Sequence, residues 1–432
     1  MRVLITTIVA LNPGDAAILL GMQRLLVRAF GSDTEIAAVD GQAAAATPLY
    51  PWMRFVPSLF VRRRRGRVGR FIERIGYAHR LRRFDAWRLA RAGRLMSAGL
   101  APIAALLASK DECVILEEYL RADLVVASGG TYLVPAYDME PPLLDYELTC
   151  ALGRPFGIMP QSLGPFTGSR LQERFRQTWM RTRVLFVRDE KSRAHLRDIG
   201  VPDNRITVMP DCAFALRQPE RRPPLGPPRR VAVSVREWRH FSDGSGRDGE
   251  RRYLAGMAGL VTWLVREKGI EVTFLSSCQG ISDYWADDAR TAREVVALLD
   301  EHVAQQVVVD GAFRGPEALQ EALSAFDFVV ATRMHVAILS LCTARPVLAV
   351  AYEFKTTELF RSLGLDWLAV PIEAAESERL IALVSRLLDE WTVVGDRIYD
   401  GAASLAARLE PSTVALREAV RPTEGNHGVA SR

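Results

Sequence analysis

The chain has 432 residues, 49% of them hydrophobic and 25% charged, with a net charge of +5; this excludes a disordered or fibrous protein and leaves room for two or three ordinary domains. Five cysteines (Cys113, Cys150, Cys212, Cys278 and Cys342) are scattered and never form a C-x-x-C pair. Neither a disulfide framework nor a metal cluster is expected, and each cysteine reads as a small buried hydrophobe. The apolar opening "MRVLITTIVA" is too short to span a bilayer and lacks a basic leader and a cleavage site, so it reads as a core strand and the expected compartment is the cytoplasm.

Along the chain, "RVLITTIVA", "DTEIAAVD", "DLVVASGG", "RPFGIMPQS", "RVLFVRD" and "RITVMPD" read as strands, with helical patterns such as "AAILLGMQRLLVRAF" and "SRLQERFRQTWMRTR" between them. This alternation is the signature of βαβ units and a parallel sheet. The stretch "PERRPPLGPPRR" can hold neither a helix nor a central strand and reads as a linker. Alternation restarts with "RVAVSVR", "EVTFLSS", "QVVVDGAF", "FDFVVATR" and "RPVLAVAYE", interleaved with helices near 253–268, 285–301, 316–325 and 336–343. The expected fold is α/β, two doubly wound Rossmann-like domains facing a cleft. The first spans 1–217 with a basic insertion at about 41–111, a Pro-rich linker covers 218–230, the second domain spans 231–410, and a tail covers 411–432.

Residues 61–95 break the rhythm, with 13 arginines against Glu73 and Asp85 and with Phe71, Ile72, Ile75, Tyr77, Leu81, Phe84, Trp87 and Leu89 interleaved. Two readings stand side by side: a basic amphipathic helix in peripheral contact with the inner face of the plasma membrane, or an arginine-rich insertion whose charges are merely solvated. No nucleic-acid partner is expected.

In doubly wound sheets ligands sit beyond the carboxyl ends of strands, so the functional search belongs there. "NPGD" supplies Asn12 and Asp15, with Asp15 able to cap a helix beginning at Ala16. "SGG" (Ser128, Gly129, Gly130) lets backbone approach a ligand, and "PQSLGP" offers Gln161 and Ser162. Cations recur at the same edge: Arg188 in "FVRDEKS", Arg236 in "VSVREW", Arg333 in "TRMH" and Lys355 beside Glu353 in "AYEFK". A lone histidine beside an apolar strand is usually a core residue, but His335 stands in cationic company. Several cations and one imidazole without a metal-ligand cluster suit acid-base chemistry on a small polyanion.

Taken in order, "NPGDAAIL", "SGG", "PQSLGPF", "VRDEKSRAHLRDIGV", "MPD", "SVREW", "RMHVAILSL" and "AYEFKTTELFRSLGL" resemble the polysaccharide pyruvyl transferases. The resemblance covers most of the chain outside residues 41–111 and the tail. It implies a GT-B-like fold and transfer of a pyruvyl or enolpyruvyl group from phosphoenolpyruvate, a donor substrate rather than a cofactor, to a glycan or lipid-linked sugar. Arg333 and His335 match the family's R-x-H motif for donor binding and catalysis, with Met334 between them. Lys355 matches its lysine and Arg188 its further arginine from the earlier half, a role that Arg236 could share. Ketal and enolpyruvyl products both remain open. The rival reading is a nucleotide-sugar-dependent glycosyltransferase, because the architecture is shared and a fold does not determine function.

Overall fold

The computed structural model describes residues 1–61, 78–217, 226–279 and 286–421. It divides into two compact units. The first holds Met1–Ile8, Met22–Met209 and the C-terminal segment from Leu409; the second holds Val9–Gly21 and Pro210–Arg408.

In the first unit, β1 (Arg2–Ile8), β2 (Glu35–Asp40), β3 (Arg54–Pro57), β4 (Leu124–Ala127), β5 (Gly130–Leu133), β6 (Phe156–Leu163), β7 (Val184–Val187) and β8 (Thr207–Val208) form one sheet. Its order is β3-β2-β1-β4-β6-β7-β8, with β5 on β6. In the second unit, β9 (Arg230–Ser234), β10 (Glu271–Leu275), β11 (Val307–Asp310), β12 (Phe328–Ala331), β13 (Val347–Ala351) and β14 (Ala369–Pro371) are ordered β11-β10-β9-β12-β13-β14. Counted within that domain the order is 3-2-1-4-5-6, the doubly wound arrangement whose direction reverses between its first and fourth strands. The pairings are parallel. Parallel strands flanked by helices are apolar throughout, and "LVVA" of β4 and "FVVA" of β12 are buried at every position.

One short device secures both reversal points. Asp123 accepts a hydrogen bond from the Arg2 backbone N–H at 2.8 Å, and Asp327 accepts from those of Arg229 and Arg230, each at 2.8 Å. Beyond the strands, the Ser128 N–H bonds Thr6 O and the Thr332 N–H bonds Ser234 O, both at 2.9 Å. "DLVVAS" and "DFVVAT" are therefore one construction used twice: an aspartate ties down the start of the neighbouring strand, a buried run follows, and a hydroxyl residue leaves the sheet.

Several boundaries differ from the sequence expectation. The first helix begins at Pro13 rather than Ala16. The Asn12 side chain accepts from the Gly14 N–H at 3.0 Å, so Asn12 caps it, and Asp15 lies in its first turn. β3 falls inside the 41–111 stretch and pairs with β2, so part of that stretch belongs to the sheet. Helix Glu410–Ala419 occupies the start of the expected tail; Pro411 in its first turn suits a helix start, and Leu416 and Ala419 are buried. Residues 62–77 of the arginine-rich stretch, 218–225 of the linker and 422–432 lie outside the described residues.

Asp145, on helix Glu140–Ala151, is buried in the first unit and accepts a short hydrogen bond from Tyr119. Burial pushes its carboxyl up to about 6, and the Tyr119 hydroxyl only partly opposes this. A raised folded-state value means that its contribution to stability is fully present below the ordinary carboxylate range and is lost as pH rises through about 6. Asp145→Asn, which resembles the protonated acid, is therefore expected to melt close to wild type at pH 4 and several degrees higher at pH 7.5, a pH-dependent gap that thermal denaturation reads directly.

Candidate functional site

The second unit collects most of the functional candidates at the ends of β9, β12 and β13. Helix Met334–Cys342 starts directly after β12, and the apolar run "VAILSLC" buries it on all sides. That burial holds His335, in its first turn, in place. The His335 side chain keeps 16% exposure, and its Nε2 stands 3.4 Å from Asp211 Oδ2. The separation is long for an N–H···O bond, so the pair is mainly electrostatic and strengthens when the ring carries a proton. Asp211 is buried, and its other oxygen caps the short helix Cys212–Leu216 through the Ala213 N–H at 2.9 Å. It is thus held rigidly beside the imidazole.

The other ring nitrogen faces Gly14. A Cβ at Gly14 would lie 2.6 Å from His335 Nδ1, so only glycine leaves this side of the ring open. Asn12, beside it, contacts Cys278 Sγ at 3.7 Å. Burial pushes the Cys278 thiol up to about 12, which keeps it protonated and inert.

Arg333 is the helix N-cap residue, and its guanidinium is occupied. Nη2 is 2.5 Å and Nε 3.1 Å from Oδ1 of Asp288, which is itself 2% exposed. Desolvation works against its charge, but Asp288 outweighs this and raises the guanidinium well above its ordinary value. Asp288 Oδ2 also accepts from the Ser277 hydroxyl at 3.1 Å and the Cys278 N–H at 2.9 Å. Arg333 therefore ties the β12 loop to the β10 loop, leaving its backbone and that of the buried Met334 at the helix start.

Arg236, just past β9, is different. It is 7% exposed and makes no ion pair among the described residues. Its guanidinium carbon lies 4.2 Å from the Tyr352 ring centroid and 4.9 Å from that of Trp238, and Nε donates to Glu237 O at 3.3 Å. Lys355 Nζ approaches the same Tyr352 ring at 5.8 Å and pairs with Glu353 at 2.6 Å. Lys355 stands in the first turn of helix Phe354–Ser362, where the macrodipole disfavours a cation and favours an anion. Two cations and one helix start thus converge on Tyr352.

The remaining candidates lie in the first unit, around the ends of β1, β4, β6 and β7. Gln161 donates to Ser128 O at 2.5 Å and also contacts Tyr132. Gly130 opens β5 at φ 140°, a conformation that favours glycine, and Gly129 O accepts from the Ser128 hydroxyl. Ser162 donates to Asp189 at 2.7 Å, while Asp189 caps helix Glu190–Asp198, so this pair braces the loop. Arg188 Nε bonds Pro160 O at 3.0 Å. Thr7, absent from the sequence reading, sits at φ 60° with its hydroxyl 2.6 Å from the Tyr132 hydroxyl. Asp211, Asp288, Trp238 and Tyr352 were also missed; Asp211 stood within "MPD", and Trp238 and Tyr352 stood beside the cations of "VSVREW" and "AYEFK", whereas no motif marked Asp288.

A doubly wound domain that gathers a histidine–carboxylate pair, a buried arginine and a lysine at its strand ends is equipped to hold an anion and exchange a proton. Residues 12–353 match the profile of the polysaccharide pyruvyl transferases, and the chain belongs to that family of transferases. It is 27% identical over 292 residues to the amylovoran biosynthesis protein AmsJ of Erwinia amylovora, covering 64% of this chain and 68% of that one. Among solved structures, a Listeria monocytogenes protein assigned as a UDP-N-acetylglucosamine 2-epimerase aligns with TM-score 0.59 at 13% identity over 96% of both chains. The Neisseria meningitidis UDP-GlcNAc 2-epimerase bound to UDP-GlcNAc aligns with TM-score 0.57 at 8% identity, over 97% of this chain and all of that one (100%). Likeness at these identities shows the GT-B type of fold alone.

Proposed function

We propose that the protein moves a pyruvyl group from phosphoenolpyruvate to a sugar hydroxyl of a polysaccharide, its lipid-linked precursor or a glycolipid. The observation that carries this reading is Arg236, a buried guanidinium packed against the touching rings of Trp238 and Tyr352, with no carboxylate partner among the described residues. A buried charge left uncompensated costs several kcal/mol, about what a bound anion restores. Phosphoenolpyruvate carries a carboxylate and a phosphate close together, which suits a guanidinium fork beside the point charge of Lys355. The biosynthetic role in the name of the Erwinia relative supports a polysaccharide acceptor.

In this reading His335 Nδ1 gives a proton to the methylene carbon of the donor. The sugar oxygen bonds to the neighbouring carbon, and its proton returns to the imidazole. Asp211, facing Nε2, steadies the ring while it is charged. Phosphate then leaves with the electrons of its C–O bond, helped by Arg236 and Lys355. Addition of a second sugar hydroxyl with loss of its proton completes a cyclic ketal, whereas loss of a methyl proton instead completes an enolpyruvyl ether.

The test is to incubate the purified protein with a polysaccharide or lipid-linked sugar fraction and either phosphoenolpyruvate or UDP-sugars. Inorganic phosphate should appear with phosphoenolpyruvate together with a pyruvyl mass gain on the glycan. Sugar transfer from the nucleotide with no phosphate release would replace this reading with glycosyl transfer.

A further inference from the structure

We propose that the first unit carries a shallow docking face for an anionic lipid bilayer, formed by one side of helix Ala78–Ser97 and the turn that follows it. Single exposed apolar side chains are ordinary, but here Phe84, Trp87, Leu100, Ile103 and Leu106 are all exposed within residues 84–106, Leu106 at 83%. The Phe84 and Trp87 rings stack at 5.8 Å, and the Arg91 guanidinium lies 5.3 Å from the Trp87 ring.

The helix is divided by function. Leu89 and Ala92 are buried in the core. Arg82, Arg83 and Arg88 are paired with Asp138, Glu140 and Glu112. Phe84, Trp87, Arg91 and Arg94 follow one another on the exposed side, and neither Arg91 nor Arg94 meets a carboxylate among the described residues. Helix Ala101–Ala104 packs against the long helix and extends the apolar area with Ile103.

Aromatic rings beside guanidinium groups that meet no carboxylate among the described residues match the acyl boundary and the phosphates of a lipid surface. A second copy of the chain fits poorly, because a twofold contact would set Arg91 and Arg94 against their own copies. The seven arginines of residues 62–77 directly precede this face in the chain and add charge of the same sign. No described helix is long and apolar enough to cross a membrane, so docking is confined to the surface.

The test is co-sedimentation of the full chain with phosphatidylcholine vesicles, with and without phosphatidylglycerol, in the absence of donor and acceptor. Binding should require the anionic lipid, weaken with salt, and fall about tenfold in Phe84→Ser/Trp87→Ser. Leu106→Ser, at the most exposed position, should weaken it less, and the melting temperatures should match wild type because these side chains support no core. Wild-type binding equal on both vesicles, no binding to either, or a double variant that binds like wild type would overturn the proposal. So would a wild-type dimer in sedimentation that the double variant abolishes. The readout needs no turnover, so its failure leaves the donor assignment standing, and the reverse also holds.

Discussion

His335→Gln is expected to fold as wild type and to lose turnover by about 10²- to 10⁴-fold, the range for removing a general acid or base, with little change in KM for phosphoenolpyruvate. Glutamine keeps much of the volume beside Gly14 but cannot exchange a proton near neutral pH. A core histidine would behave oppositely, with a lower melting temperature and unchanged turnover per folded molecule. Asp211→Asn separates positioning from bulk: the imidazolium formed during turnover loses the carboxylate facing Nε2, so kcat should fall about tenfold with little change in KM. A merely structural Asp211 would lower stability and leave turnover per folded molecule unchanged. Gly14→Ala acts on the same ring, since its methyl would sit 2.6 Å from Nδ1 and must displace it; it should lower kcat more than it raises KM.

Arg236→Met should raise KM for phosphoenolpyruvate about 10- to 10²-fold, the worth of hydrogen bonds to a charged group, while leaving the free protein as stable as wild type or more so. The reason is the absence of a carboxylate partner among the described residues: the substitution removes a buried charge and leaves no other charge stranded. Arg333→Met makes the contrast. It abandons Asp288, which is 2% exposed, and should cost about 3–5 kcal/mol of stability. Equilibrium unfolding together with donor titration separates the two arginines. If Arg236→Met destabilised the fold and left donor affinity intact, Arg236 would be a structural residue and the donor site would lie elsewhere.

That contrast also marks the limit of sequence reasoning. Arg236 and Arg333 were alike in the chain, each a cation one or two residues past an apolar strand. What separates them is a residue from another element, Asp288, which follows β10 and reaches Arg333 but not Arg236. Sequence spacing gives no access to such a partner, because it is set by the register of β9, β10 and β12. Asp211 was visible only as part of "MPD", and its meeting with His335 across more than a hundred residues could not be inferred. The duplicated "DLVVAS" and "DFVVAT" were legible in principle, since a repeated polar–apolar pattern betrays a repeated hydrogen-bond role.

By itself, the sequence determined the alternation of strands and helices, the presence of two parallel-sheet domains, and the strand ends as the place where the polar and charged candidates stand. Period and turn chemistry are local, so a linear reading captures them. Only the tertiary structure decided that Asn12 and Gly14 belong with His335, that Arg333 is already neutralised, and that Arg236 is buried without a carboxylate among the described residues. Those are questions of which charges meet after folding, and long-range pairing, not local propensity, answers them.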